Sequence, residues 1–252
     1  MRINEAKRRM LEGNPVLGPV IFLGAPLIAE SVSLAGCDYV IIDQQHGAWD
    51  DTTTLQAFRG IMVGSAVPMA RVPRNDYYSI GRVLDQGALG VIVPMVNSAE
   101  EAEAAVYATR YPPRGGRSWG PFGAGGYGPD YGDRADDEIL LLVQIETRQA
   151  TERARDILAV DGVDGCWIGP LDLARSLGVD YHSPAGAPEV EAAIEGVLTA
   201  CRETGKIPGI YAAGVAKRRL DQGFLFVTMC NDEMLIVDGA KRILESLGSH
   251  RG

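Results

Sequence analysis

The sequence predicts an α/β protein, a (β/α)8 TIM barrel in a single domain, and three observations point there. Short runs rich in Val, Ile, Leu and Tyr alternate eight times with helical segments, the pattern of βα units around a parallel sheet. The chain has 252 residues, 46% hydrophobic and 23% charged, enough for one sizeable core and a common length for such a barrel. No repeat, heptad or charge block marks a second unit, so residues 1–252 are expected to form one barrel domain. A doubly wound open sheet is the alternative that the same alternation allows.

The expected strands cover 19–23, 38–43, 68–72, 90–94, 140–146, 165–169, 208–211 and 225–229. Helix starts fall between them. Asp50 and Asp51 precede a helix at 55–62, and Asn75 and Asp76 precede one at 78–84. Ser98, with Glu101 three residues on, forms a capping box for a helix running to Thr109. Further helices are expected over 149–158 and 187–204, and the polar start MRINEAKRRM is also helical in pattern. Residues 110–133, RYPPRGGRSWGPFGAGGYGPDYGD, form a glycine- and aromatic-rich loop longer than compact domains usually carry. A lid or interface loop over the strand-end face is the expectation. The loop lacks both the strand–GxGxxG–helix context and the GK[ST] ending of phosphate-cradling loops.

A formal net charge of −9 repels polyanions, so neither nucleic acid nor an acidic membrane surface is an expected partner. The four cysteines, Cys37, Cys166, Cys201 and Cys230, are scattered without a C-x-x-C pair, which suits a reducing compartment. No apolar run approaches the roughly 20 residues of a membrane span, and the N-terminus has no apolar signal-like stretch. The expected location is cytoplasmic.

Barrel enzymes place reacting groups where strands end. Two strands here end on acids: VQIET carries Glu146, and WIGPLDLARSLG carries Asp172. Carboxylates at the rim of an apolar barrel lose solvation and repel each other unless a cation or shared proton compensates. Glu146 and Asp172 are therefore the candidate metal ligands; for each acid alone, capping of the following helix is the competing role. Hard oxygen donors without thiolates or clustered histidines favour Mg²⁺ or Mn²⁺, with Co²⁺ or Zn²⁺ further candidates. His46, one of three histidines, follows the apolar strand IIDQQ and is the candidate acid–base group. Asp85 is placed either to fix the His46 tautomer or to cap its own helix end. Arg71 in PMARVP needs an anion or carbonyl partner, supplied by substrate or by a structural ion pair. Gly169, Pro170, Leu171 and Asp172 open a helix whose free amides suit a carboxylate. Of the lysines, Lys7, Lys206, Lys217 and Lys241, none is placed for a Schiff base, so carbanion chemistry here would use a metal as electron sink.

The motifs IIDQQHG, ARVP, GRVLDQGALGVIVPMV, RYPPRGGRSWGP, VQIET and IGPLDLARSLG, in this order, closely resemble the metal-dependent class II pyruvate aldolases, which include 4-hydroxy-2-oxoheptanedioate and 2-keto-3-deoxy-sugar-acid aldolases. The resemblance is strong over residues 22–178 and weaker beyond. It implies a phosphoenolpyruvate/pyruvate-type barrel that reversibly cleaves a 4-hydroxy-2-oxo acid to pyruvate and an aldehyde through a metal-stabilised enolate. Glu146 and Asp172 would then ligate the metal, and Arg71 would steady the enolate oxygen. His46 and Asp85 would form a proton-transferring pair, within or across subunits. Gln144 would line the pocket, and the Gly169–Asp172 amides would hold the pyruvate carboxylate. It further implies a homo-hexamer with an exchanged C-terminal helix at 231–247. Two departures stand out: Gln45, where many members carry Glu, and Met229-Cys230-Asn231-Asp232 in place of a small-residue turn. The alternatives are an oxaloacetate decarboxylase or related lyase using the same enolate, and a catalytically idle binding or assembly protein.

Overall fold

A computed structural model describes residues 1–180 and 186–248. Eight parallel strands close into a barrel in sequence order: β1 Val16–Ile21, β2 Tyr39–Asp43, β3 Val67–Arg71, β4 Gly90–Val93, β5 Leu140–Ile145, β6 Gly165–Ile168, β7 Gly209–Tyr211 and β8 Phe226–Asn231. The expected TIM barrel is thus the observed fold, and the open sheet is excluded by pairing of β1 with β8. The strands are buried along almost their whole length, as a parallel sheet covered by helices requires.

Twelve α-helices are described: α1 Glu5–Leu11, α2 Pro26–Leu34, α3 Asp51–Ile61, α4 Tyr77–Gln86, α5 Ala99–Thr109, α6 Tyr131–Glu138, α7 Arg148–Glu152, α8 Ala154–Leu158, α9 Pro170–Leu177, α10 Pro188–Thr204, α11 Ala216–Gln222 and α12 Asp232–Ser246. The start signals cap their helices, although the Glu101 side chain accepts from the Asn97 amide and not from Ser98, so the expected capping box there is half formed. Asp50, Asp76 and Ser98 each accept a hydrogen bond from the backbone three residues on, satisfying a first-turn amide. The helix expected over 149–158 is two pieces, because Arg153 leaves helical geometry at φ −110°, ψ 12°.

β1 begins at Val16 rather than Pro19. A register shift at Gly18/Pro19 accommodates the proline, and a Cβ on Gly18 would lie 2.2 Å from the Tyr39 carbonyl oxygen. Inside the barrel Tyr39 stacks on Phe226 with ring centroids 4.1 Å apart, and Thr228 Oγ1 joins Tyr39 to Trp167 through 3.0 Å hydrogen bonds.

The long loop is a correction. It follows α5, which runs back from the strand ends, so it reaches β5 at the opposite end of the barrel and is no lid over the strand ends of its own chain. There Tyr127 donates to the Gly87 carbonyl, and Arg110 spans the carbonyls of Asp136, Ile139 and Gly162 and the Asp164 carboxylate. Lys7 reaches the same Asp164 at 2.9 Å. Among the described residues no helix is long and apolar enough to cross a membrane.

Candidate active site

The strand-end face holds a cavity of about 200 Å³, floored by Trp167 and Gln144 and reached by His46, Arg71 and the start of α9. Strand register builds its first part. β2 and β3 pair with Asp43 directly opposite Arg71, and the two side chains meet in a fully buried bidentate pair, Nε to Oδ1 at 2.9 Å and Nη2 to Oδ2. Asp43 Oδ1 also accepts from the backbone N–H groups of Gln45, at 3.0 Å, and His46, at 3.4 Å. One carboxylate therefore fixes both the guanidinium and the turn that carries His46. Of the two roles open to Arg71, the structural pair is formed; it engages Nε and Nη2, and the side chain lines the cavity. Trp167 backs the guanidinium at 5.2 Å from its ring centroid. His46 itself is exposed at the cavity mouth.

β5 and α9 build the second part. Gln144 and Glu146 are two residues apart and share a face of the pleat. Gln144 Nε2 donates to Glu146 Oε2, while Oε1 of Glu146 accepts from the Met95 amide at 2.9 Å. Glu146 is 2% exposed and sits just behind the cavity wall made by Gln144 and Gly169. Burial, and then the nearby Asp172 carboxylate, outweigh the Met95 hydrogen bond and push its pKa from the ordinary 4.5 up to about 7. A Cβ on Gly169 would stand 2.9 Å from both Gln144 Nε2 and Glu146 Oε2, so only glycine lets α9 approach the carboxylate. Gly169 is the N-cap of α9 and Pro170 its first residue. Pro170 has no N–H and contributes a fixed φ; the donors of this turn are the Leu171 and Asp172 amides, both at the cavity. Asp172 is exposed.

These residues fit a divalent cation. Two carboxylates, one buried and held partly protonated by its surroundings, supply hard oxygen donors and a charge deficit, and the buried Gln144 Oε1 has no partner. Among the described residues no group of three or more His, Cys, Asp or Glu could enclose a metal, so substrate and water would complete the shell. No lysine lines the cavity: Lys206 binds the Val163 carbonyl at 2.7 Å at the far end of the barrel, and Lys217 pairs with Asp221 on α11.

Two expected neighbours are not brought together within one chain. Asp85 lies in the last turn of α4, at the opposite barrel end from His46, and pairs with Arg117 at 2.8 Å. Gln45 faces a neighbouring hollow with Pro73, Arg74 and Met95, its buried Oε1 without a partner. His182 and His250 lie outside the described residues. Sequence reasoning missed the pairing of Asp43 with Arg71 and the wall formed by Phe22, Tyr211 and Asn231. The signal for the wall was available, since Tyr211 ends an expected strand and Asn231 follows one. Asp232 is fully buried, accepting from the Phe22 and Leu23 amides at 2.9 and 3.0 Å, and so ties β8 to the turn after β1.

A (β/α)8 barrel whose strand ends carry two carboxylates, a buffered arginine and a histidine, with no lysine in the cavity lining, suits a metal-dependent carbon–carbon lyase. The family model for HpcH/HpaI aldolase/citrate lyase matches residues 21–238. A 4-hydroxy-2-oxo-heptane-1,7-dioate aldolase of Escherichia coli is 39% identical over 252 residues, covering 98% of this chain and 95% of its own length. Among solved structures, an HpcH/HpaI aldolase/citrate lyase family protein from Burkholderia cenocepacia J2315 superposes with TM-score 0.89 at 29% identity, over 97% of this chain and 99% of that one. An HpcH/HpaI aldolase from Desulfitobacterium hafniense DCB-2 gives TM-score 0.88 at 27% identity, over 98% and 97%. The chain belongs to the HpcH/HpaI aldolase/citrate lyase family.

Proposed function

We propose that the protein reversibly cleaves a 4-hydroxy-2-oxo acid into pyruvate and an aldehyde, with a divalent cation, Mg²⁺ or Mn²⁺, held by Glu146 and Asp172. The observation that carries this reading is the buried Glu146, against Gln144 and Gly169 just behind the wall of a cavity that Asp172 lines and no lysine does, its pKa raised to about 7 by burial and by Asp172. When bound, the cation polarises the 2-oxo group and offsets the negative charge that cleavage leaves on the pyruvate fragment.

The chain's own residues divide the remaining work. The Leu171 and Asp172 amides at the start of α9 receive the substrate carboxylate. His46 takes the proton of the 4-hydroxyl. The C3–C4 bond then breaks, its electron pair stays on C3 as the enolate of pyruvate, and the aldehyde leaves. Arg71, held by Asp43, faces the enolate oxygen. Gln144 lines the floor beside the carboxylates.

Asp85 meets His46 only if it comes from a neighbouring chain; Arg117 occupies its Oδ1 and leaves Oδ2 open. α12 buries little beyond Asp232 and exposes Leu235, Ile236, Ile243 and Leu244, which suits exchange of this helix in a homo-hexamer. Four free cysteines and the acidic balance suit a cytoplasmic enzyme without nucleic-acid or membrane partners.

The test is pyruvate release from a 4-hydroxy-2-oxo acid. It should stop on complete chelation and return with Mg²⁺ or Mn²⁺; release that survives chelation refutes the proposal.

A further inference from the structure

Away from the cavity, two of the four cysteines meet in the core. Trp167 points into the barrel, where it reaches Thr228, so the alternation along β6 turns its neighbour Cys166 outward against the helix layer. There it meets Cys201 of α10, Sγ to Sγ at 3.5 Å. Both residues are fully buried, and the proposed reaction uses neither. Among the described residues no other two thiols stand at this distance.

The surroundings of the pair decide what it can take up. A cation held by two sulfurs has to sit between them with further donors, and among the described residues no third His, Cys, Asp or Glu joins the pair. A disulfide needs neither an added donor nor added volume. Its sulfurs lie about 2.05 Å apart, so closing the contact takes about 1.5 Å, shared by two side chains.

The two sulfurs are also unlike. The hydrogen bond with Cys201, helped by the Gly209 N–H, holds the Cys166 thiol below the ordinary range against its burial, whereas the same bond and burial hold Cys201 above it. Burial pushes Cys37 up, and Cys230 to about 11. Cys166 is the readiest nucleophile of the four. Cys201 lies in the last turn of α10, and helix ends open most easily, which gives a water-sized oxidant its way in.

We infer that Cys166 and Cys201 form a modification site for hydrogen peroxide, Cys166 attacking and Cys201 resolving, that closes reversibly into a disulfide between β6 and α10. The Cys166 sulfur attacks one peroxide oxygen and the O–O bond breaks, leaving a sulfenic acid and one water. The Cys201 sulfur then attacks the Cys166 sulfur; the S–O bond breaks, its oxygen leaves as a second water with the Cys201 proton, and the S–S bond forms. Two thiols give up two electrons and two protons, which reduce one peroxide to two waters. The bridge forms before a second peroxide carries Cys166 to the irreversible sulfinic acid, and thiol exchange reopens it.

The test treats the folded, fully reduced chain with hydrogen peroxide, unfolds it in iodoacetamide and maps tryptic peptides without reductant. These readouts need no metal or substrate, so they are independent of the aldolase proposal. Two of the four cysteines should be lost to alkylation, and peptide 156–175 should be joined to peptide 176–202. The chain should lose two hydrogens, about 2 Da, and dithiothreitol should restore all four thiols. Cys201→Ser keeps a hydroxyl donor beside Cys166 but cannot bridge, so dimedone should trap a sulfenic acid at Cys166. Cys166→Ala removes the attacking thiol and should leave Cys201 reduced and free of dimedone. Four alkylatable cysteines after peroxide, a bridge to Cys37 or Cys230, or sulfinic acid at Cys166 in the wild type overturns the inference. Dimedone on Cys201 in Cys166→Ala, or none on Cys166 in Cys201→Ser, overturns the assigned roles.

Discussion

Replacing Glu146 by Gln should stabilise the metal-free protein, and by an amount that depends on pH. The folded protein holds the Glu146 proton up to about pH 7, whereas the unfolded chain releases it near 4.5. Across that window the native state binds the extra proton, so wild-type stability falls as pH rises and is level above it. At about 1.4 kcal/mol per pH unit, the gap between those two values is worth about 3 kcal/mol. Gln cannot ionise and escapes the penalty. It also fits the hydrogen bonds: its oxygen can accept from the Met95 amide, and the partnerless Gln144 Oε1 can rotate to receive its NH₂. Urea unfolding of wild type and Glu146→Gln, in chelator and at one protein concentration, should show coincident midpoints near pH 4.5. Near pH 8 the variant should be ahead by up to about 3 kcal/mol. Mn²⁺ at a thousand times Kd should reverse the order, since it stabilises the wild type alone by about 4.1 kcal/mol. A gap of equal size at both pH values, or a variant less stable at pH 8 in chelator, would refute the account of Glu146 as a desolvated acid awaiting a cation.

Other perturbations separate the remaining roles. Asp43→Asn leaves the Arg71 guanidinium buried without its counter-charge and should cost about 3–5 kcal/mol in unfolding free energy, with kcat falling as well. His46→Gln should slow pyruvate methyl exchange by about 10²- to 10⁴-fold while calorimetric pyruvate binding persists. Asp232→Ala strips the Phe22 and Leu23 amides of their acceptor and should destabilise by about 1–3 kcal/mol per unpaired amide, measured by thermal unfolding. For the proposed homo-hexamer, Ile243→Glu and Leu244→Glu together should lower the mass seen by light scattering, because these exposed side chains are where an exchanged α12 would be covered.

The barrel was legible because parallel βα units leave two plain traces, apolar runs with no alternation and capped helices between them. Which barrel end a loop occupies is equally fixed, by counting whether it follows a strand or a helix. The segment after α5 was misplaced because its glycines and aromatics suggested a lid, whereas its position after a helix dictates the far end. Gln144 and Glu146 could be placed on one face from their spacing alone. The Asp43–Arg71 pair could not, since nothing in either strand states the register that sets them opposite each other. The separation of Asp85 from His46 follows from the length of α4, ten residues or about 15 Å of helix, which carries its last turn away from the strand ends.

The charge balance of the face explains why one arginine does not remove the need for a metal. Asp43 and Arg71 neutralise each other at contact distance, both buried, so the guanidinium has no net charge to spend on the second carboxylate group. Glu146 and Asp172 are left over, and the pKa of Glu146 records this: Arg71 lowers it less than burial and Asp172 raise it. A monovalent partner such as a lysine would offset one of the two acids and, placed in the cavity, would occupy the volume the substrate needs. A divalent cation offsets both and keeps open positions for substrate oxygens. The absence of lysine from the cavity lining and the raised Glu146 pKa are thus two consequences of one arrangement, in which the protein leaves two negative charges for a cation to complete.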